Sequence, residues 1–328
     1  MSRSETVNCN FCGHNETDFI TSQTDRIHKT TEEIFQIVRC KFCGLAYTNP
    51  RPKSTEMHKY YSKTYSYHTR FSPLKRYLLL AVVSLANSRF PSFFLPSIIS
   101  RRISIYVTRR IKDPVRDFYN NNVGSGAILD IGCGSGQHAH YWGVKGALVS
   151  YSKFAQVYGV EISEASRSEL GKYNIESWSD IDEVPRDLTF GVIRLNWSLE
   201  HVYNPGKYFE FINNYLKKDG IAVIGVPNYN GLIYIMDKSC VELPIHLYHF
   251  RPKDIENYAE KYSLSIVKIE TFSYPQMFIE ASRLGMFVSG LSEQLLLGEA
   301  RTLQNILNKL DSENMGNDMV VILKHVDQ

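Results

Sequence analysis

Four of the six cysteines fall into two pairs, Cys9/Cys12 and Cys40/Cys43, and each pair is written C-x-F-C-G. Two such knuckles can bring four thiolates around one tetrahedral ion, and the glycine after the second cysteine lets backbone amides turn toward the sulfurs. Zinc suits this donor set because it takes four sulfurs without a geometric penalty. Four protein ligands leave no open position, so the expected ion is structural. The competing reading, a pair of redox C-x-x-C motifs, lacks a thioredoxin-like βαβ pattern around either pair. Cys133 and Cys240 stand alone.

A second stretch with chemical content is "AILDIGCGSGQ", residues 127–137. An apolar run carrying Asp130 leads into glycines at 132, 134 and 136. A dinucleotide turn needs G-x-G-x-x-G/A so that a helix N-terminus can cradle a pyrophosphate, and this spacing does not match. No Lys-Ser/Thr pair follows, so a P-loop is excluded as well. What remains is a turn that lets backbone approach a ligand closely.

The surrounding elements place that turn. From Gly126 the texture alternates between strands and helices: "AILDIG", 155–163, "IESW", 189–197 and 221–228 read as five strands, with 265–273 and 318–326 as two more. Helical stretches such as "PGKYFEFINNYLKKDG" lie between them. Short strands separated by helices predict an α/β fold, a Rossmann-like doubly wound seven-stranded sheet, parallel and covered on both faces. Ligands of such sheets sit beyond the carboxyl ends of the strands, where the strand order reverses. The chain divides into a zinc-ribbon-like module over 1–52, a Tyr-rich strap and basic helical segment over 53–123, and the α/β domain over 124–328. Within the last, 275–316 reads as a helical insertion that caps the site or makes a homodimer contact.

The net charge of +3 hides an asymmetry: from Arg70 to Arg116 there are ten Lys or Arg and a single acid, Asp113. The stretch 74–116 is expected either to pack with its cations toward substrate phosphates or to lie peripherally on an anionic membrane. The N-terminus has no apolar core of signal-peptide length, and the longest apolar run, Tyr77 to Ala86, is about half of what spans a bilayer. The cytoplasm, with the inner membrane face as a second site, is the expected location.

Taken together, "LDIGCGSG", the acid in "GVEIS", "SDI", "NWSLEHVYNPGKYF" and "LKKDGIAVIGVPN" resemble the class I S-adenosylmethionine-dependent methyltransferases over roughly residues 124–270. The resemblance implies that Asp130, Gly132, Cys133, Gly134 and Gly136 face the methionine half of the cofactor. It also implies that Glu161, with Ile162, holds the ribose hydroxyls, since one carboxylate can accept from two neighbouring hydroxyls. Asp180 and Ile181 match the position that meets adenine, and Asn196 ends the fourth strand beside the site. One departure is visible: the family usually writes Phe-Asp-x-Ile on that strand, and here Gly191 replaces the acid.

Methyl transfer from a sulfonium is an in-line displacement, so alignment supplies much of the catalysis, and a hydroxyl acceptor also needs a base. "SLEHV" offers Glu200 and His201, and "LPIHLYHFRP" offers His246 and His249. His246 matches the histidine of an H-x-x-x-F segment found in many small-molecule methyltransferases, so it ranks before His201 as base. A zinc module, a Tyr-rich strap and a class I domain in this order resemble the methyltransferases of sugar and surface-polysaccharide pathways. The expected acceptor is a hydroxyl of a nucleotide sugar or lipid-linked saccharide, with Tyr60, Tyr61, Tyr65 and Tyr67 as candidates to line it. Methylation of carbon on a deoxyketosugar nucleotide is the first alternative. It is weakened because Ile245 stands where those enzymes place a glutamate before the histidine. An RNA methyltransferase is disfavoured by the near-neutral charge and the missing Asn/Asp-Pro-Pro-Tyr/Phe signature. A non-catalytic cofactor-binding scaffold is the remaining alternative.

Overall fold

The computed structural model describes residues 3–61, 112–122, 126–137, 146–283 and 300–326. Most of the basic segment, Tyr65 and Tyr67, and the centre of the 275–316 insertion lie outside the described residues.

The N-terminal part contains strands β1 (Ser4–Glu5), β2 (Thr17–Gln23), β3 (Phe35–Cys40), β4 (Ala46–Thr48) and β5 (Arg51–Pro52). After helix α1 (Pro114–Asn121) come β6 (Ala127–Ile131), α2 (Leu148–Tyr151), β7 (Val157–Val160), α3 (Glu164–Gly171), β8 (Glu176–Trp178) and β9 (Phe190–Asn196). The chain continues through α4 (Pro205–Tyr215), β10 (Leu216–Pro227), α5 (Leu232–Met236), β11 (Tyr248–His249) and α6 (Pro252–Lys261). It closes with β12 (Leu264–Phe272), α7 (Pro275–Arg283), α8 (Ala300–Asp311) and β13 (Asp318–His325).

Seven strands form one sheet in the order β12-β13-β10-β9-β6-β7-β8. All seven expected strands are present, with one correction to their direction. The sheet is mixed, because β13 runs antiparallel to both of its neighbours, β10 and β12. The apolar run "MVVIL" is buried either way, so its pattern carries no direction. The strand order reverses next to β6, which pairs parallel with β7 on one side and β9 on the other. A second correction concerns "LKKDG", read as the end of a helix. Helix α4 stops at Tyr215, and Leu216 is extended and already paired with Phe190 of β9.

Strands β1 and β5 pair with each other, while β2, β3 and β4 share a sheet with a strand of the α/β domain. Their four-stranded sheet has the order β11-β4-β3-β2, so its edge is completed by Tyr248 and His249 from the α/β domain. The first knuckle docks on α6: Phe11 meets Tyr258 edge-on with ring centroids 5.1 Å apart, and Lys261 donates to the Phe11 carbonyl at 2.8 Å.

The core below the glycine turn is built around a buried ion pair. Arg194 on β9 is 1% exposed and Asp130 on β6 is 2% exposed. Arg194 Nε donates to Asp130 Oδ1 at 2.9 Å and Nη2 donates to the other oxygen. Nη1 donates to the Gly146 carbonyl at 2.7 Å and lies 3.2 Å from the Tyr151 hydroxyl, which donates to Asp113 at 2.9 Å. Asp113 also caps α1 by accepting from the amides of Val115 and Arg116, with Pro114 at the first helical position. One network therefore ties α1, α2, β6 and β9 together. Removing one partner of such a pair leaves an uncompensated buried charge, at a cost of roughly 3–5 kcal/mol. Arg194→Met is therefore expected to lower the unfolding free energy by about that amount, and Asp130→Asn in the same chain to recover part of it. Urea denaturation of the single and double variants checks both.

Candidate active site

The carboxyl ends of the parallel strands converge on one edge. After β6 the chain enters the glycine turn, where Gly132, Gly134 and Gly136 have φ of +74°, +54° and +69°. The turn is locked to the end of β7, since the Gly132 amide donates to the Val160 carbonyl at 2.7 Å. A Cβ at Gly132 would lie 2.5 Å from the Cβ of Ser198, whose hydroxyl donates to the Ile131 carbonyl at 2.8 Å. Both the left-handed backbone and the close neighbour require glycine there.

Glu161 follows β7, and its carboxylate accepts from the Gly134 amide at 2.9 Å and the Ser163 amide at 2.8 Å. Each oxygen thus has one lone pair committed to backbone and capacity left for a ligand. Ile162 beside it is 85% exposed. Asp180 follows β8 on the same edge, where it accepts from the Asp182 amide at 3.0 Å and lies 3.4 Å from Lys207 Nζ. Asn196 ends β9, and its Oδ1 is buried with no hydrogen-bond partner among the described residues.

Three residues expected to face the cofactor present no side chain to it. The Asp130 carboxylate is taken by Arg194. Cys133 and Ile181 point into the core, at 8% and 2% exposure. Asp130 therefore acts on the turn by holding β6 in place, and the other two can offer only backbone. The partner of Asp130 was not foreseen, although an arginine inside the apolar run "FGVIRLN" is a readable signal of a buried charge that needs an acid.

Beyond β9 and β10 a second group assembles. The ligand-bearing atoms of Glu200, His201 and His246 all lie within 4.8 Å of one another, close enough to meet at one small ligand or ion. The rings of His201 and His246 are 4.7 Å apart, edge to face. His201 Nδ1 donates to the Ile245 carbonyl at 3.0 Å, which leaves the lone pair on Nε2, 3.9 Å from Glu200 Oε1. Glu200 is 1% exposed, and neither carboxylate oxygen has a hydrogen-bond partner among the described residues. Burial pushes its carboxyl well above the usual range. Burial also lowers His201, and it pushes His246 down to about 3 against the opposing pull of Glu242. Both rings are therefore neutral at ordinary pH.

Two members of this group, Glu242 and His28, were not anticipated, whereas Tyr61 was among the tyrosines expected to line the acceptor site. Glu242 Oε2 lies 3.9 Å from His246 Nε2 and 3.0 Å from Nε2 of His28. Tyr61, one of the strap tyrosines, places its hydroxyl 3.3 Å from His201 Nδ1. His28 and Glu242 are far apart in sequence and carry no motif, so only the fold brings them together. His249 is not part of the group. It packs against Tyr229 and lies 3.3 Å from the Thr48 hydroxyl, inside the contact between the two sheets.

In the N-terminal part, Cys9 Sγ is 3.4 Å from Cys43 Sγ and Cys12 Sγ is 3.4 Å from Cys40 Sγ. All four sulfurs lie within 4.8 Å of one another. The two knuckles share one backbone pattern: the Gly13 amide donates to the Cys9 carbonyl at 2.8 Å, and the Gly44 amide to the Cys40 carbonyl at 3.0 Å. Gly13 and Gly44 both have φ of +79°.

A switch-point sheet with a glycine turn and an acid after the next strand defines a Rossmann-like cofactor-binding fold. The chain belongs to the methyltransferase-domain family, whose model matches residues 103–269, half of the chain. Among solved structures, it is similar to a S-adenosylmethionine-dependent methyltransferase from Clostridium acetobutylicum, with 13% identity over 66% of this chain and 94% of that one, at a TM-score of 0.42. It is also similar to one from Archaeoglobus fulgidus, with 22% identity over 69% and 94% and a TM-score of 0.42. An O-methyltransferase from a multienzyme of Brevibacillus brevis, in complex with S-adenosyl-L-homocysteine, is 13% identical over 75% and 79%, with a TM-score of 0.42. No curated protein matches.

Backbone strain at such a turn is worth about 1–3 kcal/mol. Gly132→Ala is therefore expected to weaken S-adenosylhomocysteine binding about tenfold or more while the chain stays folded, as read by calorimetric titration and circular dichroism.

Proposed function

We propose that this protein methylates a hydroxyl of a nucleotide sugar or lipid-linked saccharide, with His246 as base and a structural zinc ion in the N-terminal module. The observation that carries the reading is the pair of neutral imidazoles, half-buried His201 and buried His246, on the same strand edge as the glycine turn. Bound along that edge, S-adenosylmethionine supplies an electrophilic methyl group on a sulfonium. The residues present fit it: Glu161 keeps acceptor capacity for the ribose hydroxyls, Ile162 offers an exposed apolar face, and the orphaned Asn196 Oδ1 can accept from an amine. Glu200, kept protonated by burial, can donate to an oxygen of the acceptor, and His246 takes the hydroxyl proton. The saccharide class rests on the resemblance of the module order to sugar and polysaccharide methyltransferases.

The four thiols suit zinc by softness and number, and with Cys9 and Cys40 buried they would form a closed site. Zinc there would hold the strand that pairs with β11, and so the loop bearing His246. One zinc per chain is expected by elemental analysis, and a chelator that strips it should abolish turnover.

A second reading, C-methylation of a deoxyketosugar nucleotide, is favoured by one observation. Ile245 stands where a glutamate would precede the histidine, yet Glu242 places a carboxylate 3.9 Å from His246 Nε2. A screen with 13C-methyl-labelled cofactor across nucleotide sugars, lipid-linked glycans and RNA tests all these acceptors. The carbon shift of the product separates O- from C-methyl, and transfer to RNA alone would sink the saccharide reading. His246→Ala is expected to lower kcat by about 10²- to 10⁴-fold with cofactor affinity unchanged. Because burial holds His246 in its unprotonated form down to about 3, the rate should show no acid limb near the ordinary histidine range between about pH 5 and pH 8. A limb near pH 6.5 would contradict this.

A further inference from the structure

A histidine buried as deeply as His246 takes up a proton poorly, so the site needs a negative charge that stabilises the imidazolium when it forms. Glu242 is placed to do this, with Oε2 3.9 Å from His246 Nε2. Its carboxylate faces His28, His201 and His246; Glu200, kept protonated by burial, sets no charge against it, and Asp25 adds a second acid beside His28. The partner that holds it is His28, whose Nε2 lies 3.0 Å from the same oxygen.

His28 is a built-in feature of the N-terminal module. Asp25, 3% exposed, accepts from the His28 amide at 2.8 Å, the Thr30 amide at 2.9 Å and the Thr30 hydroxyl at 2.6 Å. These bonds fold residues 25–30 into one turn with the imidazole turned toward Glu242. The same segment grips the chain just before Glu242: Gln23 Nε2 donates to the Val241 carbonyl at 3.1 Å, and Arg26 Nη1 to the Ser239 hydroxyl at 3.1 Å. The Thr48 hydroxyl, from the module's β4, donates to the His246 carbonyl at 2.8 Å.

We propose that His28 is a positioning residue of the reaction, inserted by the four-cysteine module behind Glu242 so that this carboxylate stays ionised and aimed at His246. The proposal rests on the methyl-transfer reading of this site. When the acceptor's proton passes to His246, the electron pair left behind forms the new bond to the methyl carbon, and sulfur regains the pair of the bond that breaks. Glu242 remains a carboxylate throughout and shields the new positive charge. The hydrogen bond to Glu242 raises His28 from the ordinary histidine value, consistent with a charged pair.

Two measurements that need no turnover test the pair. In wild-type protein, NMR titration of the histidine ring carbons should show His28, assigned through His28→Gln, titrating above the ordinary histidine value. In Glu242→Gln it should fall to or below that value, and an unchanged titration would overturn the pairing. Metal content of both variants should match wild type, which shows that the cysteine module is intact. With the acceptor found in the labelled-methyl screen, each variant is expected to lower kcat about tenfold or more, with KM and S-adenosylhomocysteine affinity within about twofold. The double variant should be no slower than Glu242→Gln alone, because His28 acts only through Glu242. Effects that multiply, or that fall on KM, would overturn the positioning role. If no acceptor is turned over, the methyl-transfer reading fails, and the titration still decides whether the pair exists.

Discussion

The arrangement of this protein depends on one short strand pairing. Tyr248 and His249 add a strand to the N-terminal sheet by pairing with Tyr47 and Ala46, and the Thr48 amide continues the contact to the Leu247 carbonyl at 2.9 Å. The loop that carries His246 lies between β10 and α6 and would otherwise be a surface connection with unpaired backbone groups. Captured as an edge strand, it has a fixed register, and the His246 backbone is held from both sides, its carbonyl by the Thr48 hydroxyl and its amide by the Glu242 carbonyl, each at 2.8 Å. The cysteine knuckles matter to the active site through this pairing, because Cys40 ends the strand next to β4.

The two halves of the site are supported by different physics. On the cofactor side, hydrogen bonds from backbone to Glu161 and the left-handed glycines fix the turn, while the Asp130–Arg194 pair anchors the strands beneath it. That pair is valuable for geometry more than for stability, since burying two charges roughly cancels their attraction. Beyond β9 and β10, Glu200 and His246 are themselves buried, and His201 and Glu242 are half-buried beside them. Burial keeps the histidines neutral and Glu200 protonated, so the group is a nearly uncharged cluster with one carboxylate, Glu242, at its edge. Such a setting favours moving a proton, because each charge that forms there is felt strongly by its neighbours.

The connection between the halves runs through Ser198 and Glu200. Ser198 closes the glycine turn from above, and two residues later the Glu200 carbonyl accepts from the Leu247 amide at 2.8 Å. The stretch "SLEH" is thus a short bridge with its start on the glycine turn and its end at the His201–His246 ring contact. Trp197, just before it, is forced to a φ of +55° and stacks over Gly225, where a Cβ would meet its ring at 2.7 Å. The tight corner lets the chain leave β9 and turn at once into the site.

By itself the sequence determined what depends on local pattern. The seven strands, the glycine turn with its rejection of a pyrophosphate, the acid after β7 and the two cysteine knuckles are all written in short runs whose spacing has a physical meaning. It also pointed to His201 and His246, because each stands just past a strand that ends at the site. Tertiary structure decided what depends on direction and on distant partners. An apolar run such as "MVVIL" buries equally well parallel or antiparallel, so the reversal of β13 left no trace. Asp130 looked like a ligand for the cofactor until its partner was seen, because nothing local links it to Arg194. His28 and Glu242 carry no motif, and they meet because β11 is captured by the N-terminal sheet. A carboxylate beside His246, missing from the adjacent position in sequence, is supplied by Glu242 at i,i+4, and the distant partner that the fold brings to it is His28.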